Sequence, residues 1–181
     1  GKPLNKLGQR DLNQGEIFFD NVRVPKSYMV AGPEAYEAMV EITLSATTAL
    51  MGALGTGIAR AAFEEALSYA KGRVQGGKPL IEYTHIKMRL FHMLKRVETS
   101  RLMSRAAYVY NQNTSTPVEE YSVMAKIQGT QAAFENTHEA IQIFGGNGMA
   151  KEYLIEKLFR DARATLIEDG SNDTLAIAAG H

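Results

Sequence analysis

Beyond residue 32 the apolar positions of this chain recur at a helical spacing, and before it they do not. Gly32-Pro33-Glu34 opens a first predicted helix over 34–72, with proline at a tolerated first-turn position. Tyr36, Val40, Thr43, Thr47, Leu50, Leu54, Ile58 and Ala61 fall on one face of it, which is expected to be buried. From Ala46 to Phe63 the residues are apolar or small nearly all round, with Arg60 the only charge. A helix of that kind lies in a bundle interior or at a subunit interface. Gly52, Gly55 and Gly57 each weaken it by about 1 kcal/mol relative to Ala. Either another backbone or a ligand comes close there, or the helix breaks.

A second helix is predicted over 81–112, with Ile86, Leu90, Met93, Val97, Ser100, Ser104 and Ala107 on its inner face. After the polar loop 111–116, Thr116-Pro117-Val118-Glu119 is a good helix start, with a threonine cap, proline first and glutamate three residues on. The third helix, 117–143, carries Tyr121, Ala125, Gln128, Ala132, Asn136, Ala140 and Ile143 inward, and its small residues favour close packing. A fourth covers 153–166, and a short one follows Asn172. Four helices with short connections make an all-α, up-down four-helix bundle. Residues 16–25 are β-branched and aromatic, bounded by Gly15 and Pro25, and read as one or two strands. Such strands are an arm packed on the helical body or the end of a β-domain, since a lone hairpin is marginal. The expected division is 1–31 for the strand arm and 32–181 for the bundle.

Composition narrows the function. The 181 residues include 20 basic and 20 acidic side chains, so no net charge favours nucleic acid or an anionic membrane. Cysteine is absent, which removes disulfides and thiolate chemistry. No uninterrupted apolar run reaches the roughly 18 residues of a membrane span, and no signal peptide is visible. The first residue is Gly1, as in a processed or excised piece. His85 and His92 have no third ligand at helical spacing and read as surface histidines, so no metal site is expected.

Candidate chemistry concentrates between Ile141 and Asp173. Gly145, Gly146 and Gly148 follow an apolar run, and glycine backbone lets a flat cofactor or its phosphates approach main-chain N–H groups. Glu168-Asp169-Gly170-Ser171 sets two carboxylates against a turn glycine, either facing a cleft or capping a terminal helix. The loop Gly72-Arg73-Val74-Gln75-Gly76-Gly77-Lys78-Pro79 is glycine-rich and basic, an anion site or a plain connector.

QIFGGNG (142–148), RDAR (160–163) and Asp169-Gly170-Ser171 occur in an order that resembles the C-terminal domain of the acyl-CoA dehydrogenases. The resemblance covers the whole chain and implies that 1–31 corresponds to the last strands of that family's middle β-domain. It implies FAD as cofactor, with Gln142, Gly145, Gly146 and Ser171 near the flavin, and Arg73 and Gln75 reaching the flavin of a neighbouring subunit. It implies Asp169 as the base that removes the α-proton of an acyl-CoA thioester. It also implies electron-transfer flavoprotein as the acceptor, a homo-oligomer built as a dimer of dimers, and a cytoplasmic or mitochondrial-matrix type of compartment.

Departures from the family pattern fall mostly on the substrate side. Asp169 stands where most members have glutamate, Ser171 replaces a threonine, and 172–176 does not follow the common sequence. Gly76 replaces an aromatic residue, and neither Thr47 nor Thr48 can act as the base that other members place on the first helix. An oxidase or monooxygenase of the same superfamily, or a non-catalytic oligomerisation bundle, are the alternatives.

Overall fold

Small residues decide how these helices meet. The computed structural model describes residues 1–114 and 118–180, and in it α1 runs over Tyr36–Gly72, α2 over Thr84–Gln112 and α3 over Glu119–Phe144. These are followed by α4, Leu154–Thr165, and α5, Asn172–Ala179. Between α1 and α2 lies a hairpin of two short antiparallel strands, β1 (Val74–Gln75) and β2 (Lys78–Pro79). The expected bundle is therefore formed. Two boundaries move: Pro33–Ala35 and Leu80–Glu82 are single 3-10 turns, so α1 and α2 start slightly later than expected. The threonine cap expected at Thr116 lies outside the described residues.

α1 and α3 run parallel and touch along their length. A Cβ on Gly55 would lie 2.6 Å from the Gly129 carbonyl, and one on Gly129 would overlap the backbone of Gly52. Farther along, the buried Asn136 amide on α3 donates to Ala59 O on α1 (3.1 Å) and Met93 O on α2 (3.0 Å). At the far end Tyr69 stacks on Phe144 with centroids 4.0 Å apart. α2 runs the other way, with Ala107 against Ala49 and Ala125 at one end and Ile86 clustered with Ile143 at the other. Large apolar side chains gather at that second end, where Leu90, Met93, Ile143, Phe144 and Ile155 come together.

The inner face of α2 is the one expected, residue for residue. That of α1 is not. Its buried positions are Ser45, Thr48, Ala49, Gly52, Gly55, Thr56, Ala59, Ala62, Ala66 and Ala70, while Leu50 and Leu54 remain 56% and 48% exposed. The apolar rows on α1 are ambiguous because small residues occupy the other rows. Close backbone approach selects the rows with least side chain. On α3, Ala125, Ala132, Asn136, Ala140 and Ile143 are buried as expected, but Tyr121 is exposed.

Lys26–Gly72, the stretch containing α1, is long and apolar enough to cross a membrane, contrary to the count of uninterrupted apolar residues. Here it forms the central stave of the bundle, with α2 and α3 packed along it.

The expected strand arm does not form a ladder. Residues 16–25 pair with no strand among the described residues, and Phe18 and Phe19 are 77% and 80% exposed. A β-strand needs a neighbour for its N–H and C=O groups, and none is offered. The segment before it is tied down instead. Leu4 N–H donates to Gln14 O (2.8 Å), and Gly8 lies directly against the backbone of Arg160 on α4.

Gly129→Ala should lower the unfolding free energy by about 1–3 kcal/mol in urea titration, since its methyl group has to push α1 off α3. Gly57, whose Cβ would meet nothing within 4 Å, provides the control. Gly57→Ala should stabilise by about 0.5–1 kcal/mol through helix propensity.

Candidate functional site

One end of the bundle holds a polar cleft of about 520 Å³, lined by Arg73, Gln75, His85, Gln142, Gly145, Gly146 and Asn147 among others. Its walls are built by local chain turns. α1 ends at Gly72, and the Arg73 N–H still bonds to Tyr69 O (2.8 Å). The chain then reverses through Gly76 and Gly77, both at positive φ (+61° and +86°), as two-residue hairpin turns require. The Tyr83 hydroxyl donates to Gln75 O (2.7 Å) and fixes the hairpin against the start of α2. On the opposite wall, Gly145 (φ +61°) breaks α3 and exposes the peptides of Gly145 and Gly146. Asn147 donates to the hydroxyls of Tyr69 (3.0 Å) and Tyr153 (3.2 Å), which locks this glycine turn onto the aromatic end of the core.

Five residues singled out from the sequence thus meet in one place. A guanidinium, two carboxamides and glycine peptides open to solvent suit an anion flanked by hydroxyl groups. His85 and Asn147 were missed. The only signal for His85 is its place in the first turn of the helix that follows the glycine-rich loop.

Asp169 and Ser171 lie elsewhere. α4 ends in a turn that carries Asp169 (φ +53°) and Gly170 (φ +91°) in consecutive left-handed conformations before Ser171 caps α5. The Ser171 hydroxyl accepts from Thr174 N–H (3.3 Å). Asp169 is exposed and accepts a 3.5 Å contact from the Thr47 hydroxyl of α1, whereas the half-buried Glu168 accepts from Gln9 Nε2 (2.6 Å). The two neighbouring carboxylates therefore point apart. From Thr47 to Arg73 the rise along α1 is roughly 39 Å at 1.5 Å per residue. Asp169 and the cleft are therefore far apart on one chain.

The RDAR segment has a structural task that its sequence did not disclose. Arg160 donates to both oxygens of Glu156 and, through Nη1, to Leu7 O (3.0 Å). Asp161, buried, accepts from Gln9 N–H (2.5 Å) and is paired with Lys157. The Arg160 hydrogen bond holds the Glu156 carboxyl below its usual range. Together these bonds dock residues 7–9 beside the Asp169 turn. Beneath that turn lies Lys126 of α3, fully buried, with Nζ donating to Gly170 O (2.6 Å) and Asn172 Oδ1 (2.7 Å). Burial lowers its pKa, opposed by the charges of Asp169 and Glu168.

Residues 37–179 match the family described as acyl-CoA dehydrogenase, C-terminal domain. An acyl-CoA dehydrogenase of Bacillus subtilis (strain 168) is 37% identical over 176 residues, 96% of this chain and 45% of that protein. The structure of butyryl-CoA dehydrogenase from Megasphaera elsdenii superposes with a TM-score of 0.95 at 32% identity, over 99% of this chain and 47% of that one. An active-site mutant of nitroalkane oxidase crystallized with 1-nitrooctane superposes with a TM-score of 0.92 at 27% identity, over 98% and 43%. The chain spans less than half the length of these relatives.

Gly170→Ala should cost about 1–3 kcal/mol, because the left-handed backbone resists a side chain and the new methyl group meets Leu175 at 3.1 Å. Gly146→Ala, with open space around its Cβ, should be nearly neutral. Thermal unfolding of both variants checks the contrast.

Proposed function

The chain belongs to the acyl-CoA dehydrogenase family, and from that premise we propose that it is the helical C-terminal half of a flavoenzyme that dehydrogenates an acyl-CoA thioester. The observation that carries this reading is the convergence of Arg73, Gln75, Gln142, Gly145 and Gly146 on one polar cleft. These residues fit the phosphate and hydroxyl groups of FAD: Arg73 as a charge-assisted donor, the two carboxamides as neutral partners and the glycine peptides as close-approach surface. When bound, FAD supplies the acceptor for the hydride lost from the β-carbon.

In this reading Asp169 takes the proton from the carbon next to the thioester carbonyl. Its exposed carboxylate in the turn after α4 has the freedom to face a substrate, with the Thr47 hydroxyl in a long contact with one of its oxygens. Ser171 lies two residues on, beside the same half-site. The rise of roughly 39 Å along α1 from Thr47, beside Asp169, to Arg73 exceeds the reach of one dinucleotide, so the two half-sites of a chain serve different FAD molecules. A homo-oligomer, a dimer or a dimer of dimers, resolves that geometry, and the exposed Leu50 and Leu54 of α1 supply apolar surface for it. Residues 1–31 then belong to the edge of a β-domain, and residues 32–181 to the bundle. Electron-transfer flavoprotein is the expected acceptor, in a cytoplasmic or mitochondrial-matrix type of compartment.

One observation favours a second reading. Aspartate is one methylene shorter than glutamate, and a misplacement of about 1 Å can cost roughly a hundredfold in rate. An oxidase acting on a more acidic carbon, such as that of a nitroalkane, tolerates a shorter base.

The test uses the full-length protein that carries this domain. It should purify with a visible flavin band that bleaches with butyryl-, octanoyl- or palmitoyl-CoA, whereas bleaching by 1-nitrooctane alone would select the second reading. Protein with no flavin would instead leave an oligomerisation bundle.

Asp169→Asn should keep the flavin and slow its bleaching on the order of 10³-fold. Glu168→Gln, altered at a carboxylate turned toward Gln9, should change little. Arg73→Ala should weaken FAD about 10–100-fold by equilibrium dialysis, the worth of one charge-assisted hydrogen bond.

A further inference from the structure

A buried amine is an expensive way to fill a helix interface. An apolar side chain of Lys126's size would pack between α3 and the α4–α5 turn without losing hydration, and such replacements of buried charge are often neutral or stabilising. What Lys126 adds is direction. Its Nζ reaches Gly170 O at 2.6 Å and Asn172 Oδ1 at 2.7 Å. Asn172 in turn donates from Nδ2 to Thr130 Oγ1 (3.0 Å), and that hydroxyl donates to Lys126 O (2.8 Å). The ring closes on itself around the backbone just after Asp169. That backbone needs holding, since Asp169 and Gly170 are consecutive left-handed residues. A non-glycine residue so placed costs of order 1 kcal/mol and persists only where its surroundings determine it.

We propose that Lys126 is a positioning residue for the Asp169 carboxylate: its buried ammonium pins the Gly170 and Asn172 side of the turn and places a positive charge beside the base. The inference rests on reading Asp169 as the base. Thr47 of α1 contacts that carboxylate, and Lys126 of α3 lies within electrostatic reach of it and of Glu168. Lys126 is the cation of the set, and the Asp169 charge in turn holds up the pKa that burial depresses. Removing the Lys126 ammonium frees the Gly170 and Asn172 side of the turn, so the carboxylate loses its place.

The decisive variant is Lys126→Met, close in length but without charge or donors, in the flavin-loaded full-length protein. Flavin bleaching by the fastest of butyryl-, octanoyl- and palmitoyl-CoA is followed as the acyl-CoA concentration is raised to saturation. The expected result is a plateau rate lower by about 10–100-fold with the half-saturating concentration unchanged. A wild-type plateau in Lys126→Met, while Asp169→Asn slows bleaching as expected, overturns the role of Lys126 alone. A slower plateau with a raised half-saturating concentration overturns it too, since general loosening explains that pattern. Unimpaired bleaching in Asp169→Asn removes the base reading itself and the inference with it. Should Lys126→Met not hold flavin, Asn172→Ala removes one acceptor and leaves the amine in place. A plateau lower by about tenfold supports the clamp, and an unchanged plateau overturns it.

Discussion

Everything in this bundle is placed by the contact of α1 with α3 at Gly52, Gly55 and Gly129, where backbone meets backbone with no side chain between. Two parallel helices that approach so closely cannot slide or rotate without collision, because a helix surface offers few interdigitating arrangements. Their far ends are fixed as a result: Tyr69 must meet Phe144, and the hairpin after α1 must face the glycine turn after α3. The polar cleft is thus a consequence of small residues some distance away. Asn136 serves the same end midway, joining carbonyls of α1 and α2 through one buried amide.

Much of this could be read from the chain. Helix positions came from period and turn signals, and the face of α2 was legible because large apolar residues mark it unambiguously. The face of α1 was not, because Leu50 and Leu54 outweigh alanine and glycine in any hydrophobic pattern, whereas close packing prefers the smaller set. The glycines themselves signalled close approach, correctly for Gly52 and Gly55, while nothing lies near Gly57. Residues 16–25 have strand character without a strand's neighbour, and pairing is not a local property. Of the site, motif resemblance identified Arg73, Gln75, Gln142, Gly145 and Gly146, and the fold brings them together. Their distance from Asp169 depends on helix length and direction, which a motif does not encode.

The Asp169 turn shows how a short exposed segment can be held without a core of its own. No residue of α5 is buried. The turn is secured from two sides by polar bonds, Gln9 to Glu168 and Lys126 to Gly170 and Asn172, with the Thr47 hydroxyl in a longer contact with Asp169. Directional hydrogen bonds fix position more narrowly than apolar contact does. The RDAR segment contributes indirectly by fastening residues 7–9 next to it.

The wide separation of the two half-sites on one chain has a genetic consequence under the proposed assembly. Where each complete site draws its carboxylate from one copy and its arginine from another, damage is not inherited site by site. A two-fold pair made from one copy lacking Arg73 and one lacking Asp169 carries both lesions in a single site and neither in the other. Two inactive alleles would then restore about a quarter of the activity when expressed together, since about half of randomly formed pairs are mixed and each mixed pair has one intact site. Two alleles damaged at the same half-site would restore none.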